Sequence, residues 1–224
     1  MAALESVERV ASNTDLLAEA NHRIANHLSL LAGMVQLQMS ALSRGPDMLS
    51  RTQVRGLLQE TAGKIVGIGN MHRRFAHSSG EDELDLGAHL IECTHLLVSQ
   101  LSLDRKVSIV ERLDSGCMVT PDDAQTLVLI AGEILMNAVK HAHPTGLSVA
   151  ISISCSRSAD GSIVLEVGDD GVGLPENFDH TKDGGLGLKL IRSLADKMHA
   201  QLQIESDSLG LSYRLRLPPQ NRRF

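Results

Sequence analysis

Two long stretches with an apolar residue at every third or fourth position constrain the fold of this chain more than any other feature. They cover residues 14–42 and 49–75, and this spacing places the apolar side chains on one face of a helix. Gly45 and Pro46 separate them, which predicts a short loop between two helices. A single helical hairpin has too little surface to bury both apolar faces. We therefore expect two copies to form a four-helix bundle, so that the protein is a homodimer.

The pattern changes after residues 77–83, which are polar and contain glycine, as is typical of a linker. Helical and strand patterns are then mixed, which predicts an α+β fold with helices on one face of a mostly antiparallel sheet. We expect a hairpin domain over residues 1–80 and a second domain over residues 81–224. Helices are predicted over residues 84–101, 120–142 and 185–200, and strands over residues 106–113, 147–156, 162–168, 201–206 and 211–217.

The charge and the apolar content exclude several classes of partner. The formal net charge of −6 provides no general attraction to nucleic acid or to an anionic membrane. No apolar run approaches the roughly 20 residues that span a bilayer, and the N-terminus lacks the pattern of a signal peptide. We expect a cytoplasmic protein that binds neither nucleic acid nor membrane. Cys93, Cys117 and Cys155 lie among apolar residues, which predicts buried, reduced thiols.

One predicted helix carries an acid, an amide and a cation along a single face. Glu133, Asn137 and Lys140 stand at positions i, i+4 and i+7. Such a row can hold a hydrated metal ion or a nucleotide phosphate. The same spacing also fits the solvated outer face of an amphipathic helix, and spacing alone leaves both interpretations open.

Two glycine-containing segments follow. Asp169, Gly171 and Gly173 come directly after a predicted strand, where glycine lets the backbone approach a ligand closely. The second segment precedes a predicted helix, whose N-terminus would favour a phosphate group. Aspartate and glycine are also common in ordinary turns, so neither segment identifies a ligand alone. The second segment contains Gly185, Leu186, Gly187 and Leu188.

Together and in this order, the three segments resemble the N, G1 and G2 boxes of the Bergerat-fold ATPases, which include the histidine kinases and the gyrase-type topoisomerases. The block from Glu133 through Asn137 to Lys140 and His141 is similar to the histidine-kinase form of the first box. The resemblance covers residues 84–217. It implies an α/β-sandwich domain that binds ATP and Mg²⁺.

The resemblance also implies roles for individual residues. Asn137 would coordinate Mg²⁺, Glu133 would lie at the metal and act as a general base, and Asp169 would accept a hydrogen bond from the adenine amino group. Gly171 and Gly173 would shape the adenine pocket. The residues implied to surround the phosphates are Lys140, His141, Gly185, Leu186, Gly187 and Leu188.

The first predicted helix contains a second resemblance. Glu19, His22 and Asn26 occupy a segment similar to the phosphoacceptor box of the histidine kinases that include the HWE kinases. At about 100° per residue, His22 points away from the apolar face, whereas His27 lies close to it. The resemblance implies that His22 is phosphorylated, that Glu19 or Glu133 accepts its proton, and that Asn26 orients a water for the reverse, phosphatase reaction. The chain has no Trp and so departs from the HWE pattern, which places it in a related branch.

These resemblances predict a histidine kinase that phosphorylates His22 and passes the phosphoryl group to an aspartate in the receiver domain of a response regulator. Two alternatives are a histidine phosphotransfer protein with a degenerate ATPase-like domain, and an anti-sigma-type regulator with the same ATPase core. About eighty residues precede the predicted ATPase domain, too few for a hairpin and a sensor domain of roughly 100 residues. We therefore expect either a separate sensor protein or a longer kinase of which this chain is a fragment.

Overall fold

The computed structural model describes residues 32–33, 35–36, 39, 48–58, 61–62, 83–100, 103, 106–143, 147–179 and 183–219. The chain divides into two compact units, Met1–Ile65 and Val66–Phe224, and each is considered by itself. The domain boundary predicted at residue 80 lies outside the described residues and stays a prediction.

In the first unit, residues 32–33, 35–36 and 39 are helical, and so are residues 51–58 and 61–62. The second helical stretch begins with a reciprocal cap. The Ser50 N–H donates to Gln53 Oε1 at 2.8 Å, and the Gln53 N–H donates to Ser50 Oγ at 3.2 Å. The described residues of both predicted helices are therefore helical except residues 49–50, so the second helix begins two residues later than expected.

The second unit contains three helices and seven strands among its described residues. The predicted elements are confirmed to within a few residues at each end. The pair formed by β1 and β3 was not predicted, because two-residue strands are too short to show a periodic pattern. The elements are β1 (Leu84–Asp85), α1 (Leu86–Gln100), β2 (Val107–Leu113), β3 (Met118–Val119), α2 (Pro121–His141), β4 (Val149–Arg157), β5 (Ile163–Asp169), α3 (Leu186–Lys197), β6 (Gln201–Asp207) and β7 (Gly210–Leu217).

Five of the described strands form one sheet in the order β2-β4-β5-β7-β6. The β2–β4 pair is parallel and the other three pairs are antiparallel, as the sequence predicted. Alternate residues such as Ile151, Ile153 and Leu165 are fully buried, whereas Ser152 is exposed. Helix α2 contacts α1, α3 and strands β4 and β5. The helices therefore cover one face of the sheet in a two-layer α+β sandwich.

Helix α2 begins and ends where its sequence predicts. Thr120 is the N-cap residue, and its Oγ1 accepts a hydrogen bond from the Asp123 N–H at 3.2 Å. Pro121 occupies the first turn, where a missing N–H costs nothing. Lys140 and His141 lie in the last turn, where cations favour the negative end of the helix dipole. A well-defined α2 therefore fixes the positions of the polar residues along it.

Two further predictions concern the cysteines and membrane-spanning helices. Cys93, Cys117 and Cys155 are buried and are not joined in disulfides, as predicted, and burial raises the pKa of the Cys117 thiol. No helix within the described ranges is long and apolar enough to cross a membrane.

Candidate functional site

Burial along α2 distinguishes its polar residues from one another. Glu133 is only 7% exposed, although a carboxylate is costly to remove from water. Asn137 is partly exposed, and Lys140 and His141 are exposed on the last turn. The interpretation of this row as a uniformly solvated face is therefore wrong at Glu133, which lies against the rest of the fold.

The first turn of α3 lies beside Glu133 and Asn137. A Cβ atom at position 187 would lie 3.0 Å from Asn137 Oδ1 and 3.0 Å from Glu133 Oε2. The glycine at this position thus lets the backbone of α3 approach both side chains. Because the N-terminus of a helix carries partial positive charge, the first turn of α3 places that charge beside the carboxylate and the amide.

Three neighbouring glycines in this segment have different structural roles. Gly184 has a φ of +107°, and a Cβ there would lie 2.6 Å from Leu188 Cδ2. Gly185 is the N-cap of α3 with a φ of −71°, and no atom lies within 4 Å of its Cβ position. The geometry therefore requires glycine at 184, leaves little room for a side chain at 187, and does not require glycine at 185. Leu188 is buried and anchors the helix.

The segment after β5 is attached to the end of α2. The Gly171 N–H donates to Asp169 Oδ1 at 2.9 Å, and the Val172 N–H donates to the Ala142 carbonyl oxygen at 3.0 Å. A Cβ at Gly171 would lie 2.5 Å from Ala142 Cα. Gly173 has a φ of +71°. Both glycines are therefore fixed by the fold, Gly171 by close approach and Gly173 by its left-handed backbone.

Two adjacent carboxyl groups in this segment have opposite surroundings. Partial burial raises the pKa of Asp169, although hydrogen bonds from the Gly171 and Leu211 N–H groups oppose the shift. At Asp170, partial burial likewise favours a higher pKa. Hydrogen bonds from the Ala150 N–H and from His143 outweigh it, so the pKa is lowered. Asp170 Oδ1 accepts the Ala150 N–H at 2.9 Å. Asp170 therefore holds the backbone in place, while Asp169 presents a partly desolvated acceptor.

Tyr213 is a site residue that the sequence analysis missed. It is 3% exposed on β7, and its hydroxyl hydrogen-bonds with the side chain of Asn137. Burial raises its pKa to about 12. One signal was available, since this is the only Tyr in the chain and it occupies a core-facing strand position, where its hydroxyl needs a partner.

The structure thus brings Glu133, Asn137, Gly187 and Tyr213 into one cluster, and it joins Asp169 and the two following glycines to the end of α2. Glu19, His22 and Asn26 lie outside the described residues, and their roles stay predictions. The side chain of Leu186 is also outside the description.

The donor atoms of this cluster suit a magnesium ion. Mg²⁺ prefers oxygen ligands and is usually held by one or two protein groups, with phosphate oxygens and waters completing the set. Asn137 Oδ1 and Glu133 Oε2 both lie beside Gly187. Within the described ranges, no group of three His, Cys, Asp or Glu residues could hold a metal ion as a protein cage. The two oxygens beside Gly187 would thus fit an ion whose other ligands are phosphate oxygens and waters.

Sequence comparisons identify the family. Residues 102–213 match the family described as "Histidine kinase-like ATPase domain", and residues 19–101 match the family described as "Histidine kinase". The chain belongs to the histidine kinase family. This confirms the resemblance drawn from the three boxes and the phosphoacceptor segment.

Two relatives illustrate the similarity. The histidine kinase chain is 25% identical over 219 residues to "Blue-light-activated histidine kinase 2" of Erythrobacter litoralis, covering 96% of this chain and 60% of that protein. It is 28% identical over 179 residues to "Sensor histidine kinase PdtaS" of Mycobacterium tuberculosis, covering 80% of this chain and 34% of that protein. The chain therefore spans less than two thirds of the length of either relative.

A solved structure confirms the fold. The histidine kinase domain of the Erythrobacter litoralis EL346 blue-light activated histidine kinase matches with a TM-score of 0.65 at 21% identity. The match covers 91% of this chain and 90% of that one. The predicted fold, a helical region followed by an ATPase-type α+β domain, is thereby confirmed.

Proposed function

We propose that this histidine kinase chain binds ATP with Mg²⁺, phosphorylates His22, and passes the phosphoryl group to an aspartate in a response-regulator receiver domain. The observation that carries the proposal is the close approach of Gly187 to the side chains of Asn137 and Glu133, where a Cβ would lie 3.0 Å from an oxygen of each. It joins two sequence boxes, about fifty residues apart, into one polar cluster beside a helix N-terminus.

The two ends of the site suit the two ends of ATP. The partly desolvated Asp169 would accept a hydrogen bond from the exocyclic amine of adenine, with Gly171 and Gly173 leaving room for the base. The phosphates would lie at the first turn of α3, next to Gly187. Lys140 is exposed on the last turn of α2 and would approach a phosphate oxygen. This arrangement orients the nucleotide along α2.

Mg²⁺, held by Asn137 with Glu133 nearby, would neutralise the charge on the phosphates. The neutral imidazole of His22 would attack the γ-phosphorus, so that a P–N bond forms while the bond to the β,γ-bridging oxygen breaks and ADP leaves. Glu133 or Glu19 would accept the imidazole proton. Attack by the receiver aspartate then breaks the P–N bond and forms an acyl phosphate. In the reverse role, Asn26 would orient a water for hydrolysis of that acyl phosphate.

The first unit supports pairing of two copies. Met39 and Leu58, which belong to the two predicted hairpin helices, are 61% and 66% exposed in the single chain. Val54 is also exposed. Burying such side chains is favourable, by about 1.5–3 kcal/mol for a fully buried large residue, and a second copy offers a matching surface. The active form is therefore a homodimer.

Incubation with γ-labelled ATP and Mg²⁺ tests the proposal. We expect label that is acid-labile and stable to alkali, as a phosphohistidine is, and we expect it to be absent from a His22→Gln variant. His27→Gln is the matched control, because it changes a histidine of the same predicted helix and should retain the label. Persistence of label in His22→Gln would refute the assignment of the phosphoacceptor.

A further inference from the structure

The pairing of β4 with β5 ends where the segment after β5 begins. Ile151 and Asp169 form the last residue pair between the two strands. One residue farther along, the Asp170 side chain takes the place of a backbone acceptor, since its Oδ1 accepts the Ala150 N–H at 2.9 Å. The chain can therefore leave the sheet at Asp170 while the Ala150 N–H keeps a hydrogen-bond partner.

A histidine that directly follows the C-cap of α2 contacts the same carboxylate oxygen. His143 Nε2 lies 3.1 Å from Asp170 Oδ1. Although partial burial favours a higher pKa, hydrogen bonds lower the pKa of Asp170, so its carboxylate is ionised at neutral pH and can only accept. The His143 Nε2–H is therefore the donor. The His143 side chain is only 18% exposed, so the fold encloses most of the ring.

Two further contacts join the end of α2 to the segment after β5. The Val172 N–H donates to the Ala142 carbonyl oxygen at 3.0 Å, and a Cβ at Gly171 would lie 2.5 Å from Ala142 Cα. The first contact is a backbone bond that most residues could form. The bond to Asp170, in contrast, needs a side-chain donor at position 143.

We infer that His143 is a positioning residue that fixes Asp170 and thereby holds the neighbouring Asp169 carboxylate where it reads the adenine amino group. The inference rests on the proposed function, because it concerns base recognition in the same ATP site. Hydrogen bonds weaken steeply with poor geometry, so a recognition group is selective only when its surroundings hold it in place. Without the His143 N–H, the bond from Asp169 to the amino group weakens, while contacts to the rest of the nucleotide remain.

The test compares two nucleotides on a His143→Phe variant, which removes the Nε2–H and keeps a ring. The nucleotides are ATP and purine riboside triphosphate, which differs from ATP only in lacking the amino group. Each is titrated calorimetrically in the presence of Mg²⁺, and the wild type should bind ATP more tightly. We expect His143→Phe to raise the Kd for ATP about three- to tenfold, the factor associated with one net hydrogen bond, and to leave the Kd for the analogue unchanged.

His95→Phe is the matched control, because it removes a histidine–carboxylate pair elsewhere in the same unit. His95 Nε2 lies 3.0 Å from Glu111 Oε1, and its loss should change neither Kd. His143→Gln restores a side-chain N–H at this position and should retain the preference for ATP. In an Asp170→Ala background, adding His143→Phe should have no further effect on that preference, because the residue through which His143 acts is gone.

The outcomes separate the inference from the proposed function. If the wild-type chain prefers ATP and His143→Phe keeps the full preference, the inference is wrong and the proposed function stands. Equal weakening of both nucleotides would show that His143 only supports the fold and would overturn the inference. Loss of the preference in His143→Gln as complete as in His143→Phe would overturn it too. If the wild-type chain binds no nucleotide, both fail.

Discussion

A single methyl group at position 187 should weaken binding of Mg²⁺ and ATP without unfolding the protein. The added Cβ of Gly187→Ala would lie 3.0 Å from Asn137 Oδ1, 3.0 Å from Glu133 Oε2 and 3.2 Å from Asn137 Nδ2. These distances are a few tenths of an ångström shorter than the roughly 3.5 Å at which non-bonded atoms attract. Both side-chain ends must therefore move away from α3. The residue is in the first turn of a helix, so the change should keep or improve helix stability, by up to about 1 kcal/mol.

The expected loss of affinity follows from the groups that move. A displaced metal ligand and a displaced carboxylate weaken charged contacts that are each worth about 1.5–3 kcal/mol. Losing part of one such contact, about 1.4 kcal/mol, raises the Kd for ATP with Mg²⁺ about tenfold. Calorimetric titration measures this change, and thermal unfolding of the same samples reports stability.

Gly56→Ala is the matched control, because Gly56 also lies in a helix, is far from the site in sequence, and its Cβ would meet no atom within 4 Å. This variant should gain up to about 1 kcal/mol of stability while retaining its affinity. Equal affinity of Gly187→Ala and wild type, or an equal loss in Gly56→Ala, would refute the assignment of the site.

Two further substitutions test the segment after β5. Gly171→Ala should destabilise the fold by about 1–3 kcal/mol in denaturant unfolding, because its Cβ would lie 2.5 Å from Ala142 Cα. Asp169→Asn should weaken ATP binding but keep or raise stability at neutral pH. Since the folded-state pKa of Asp169 is raised, the stability contributed by its protonated form is present at low pH and is lost as the pH rises through that pKa. A flat difference in unfolding free energy between this variant and wild type from pH 3 to 7 would contradict this.

Sequence patterns predicted most of the second unit because its elements have strong local signals. The start of α2 was marked by Thr120 and Pro121, and the hairpin between β4 and β5 by Asp160 and Gly161. The row of Glu133, Asn137 and Lys140 on α2 was found from their spacing, but spacing could not show that Glu133 is buried. That fact depends on α3, whose first turn lies more than fifty residues later in the chain.

Features that depend on tertiary contacts could not be predicted. The sequence does not reveal which of two adjacent glycines has a positive φ, and the structure assigns this to Gly184 rather than Gly185. The bond between Tyr213 and Asn137 joins β7 to α2, and no local pattern links them. The phosphoacceptor assignment of His22 rests on sequence resemblance, because the residue lies outside the described part of the chain.

The central claim is that residues of α2, the segment after β5 and the first turn of α3 form one ATP site. Calorimetric titration of the wild-type chain with ATP and Mg²⁺, beside an Asn137→Ala variant, tests this claim most directly. We expect micromolar affinity, about −8 kcal/mol of binding free energy, in the wild type and at least tenfold weaker binding in the variant. Absence of binding at millimolar ATP would contradict the claim and would favour a phosphotransfer protein with a degenerate ATPase-like domain.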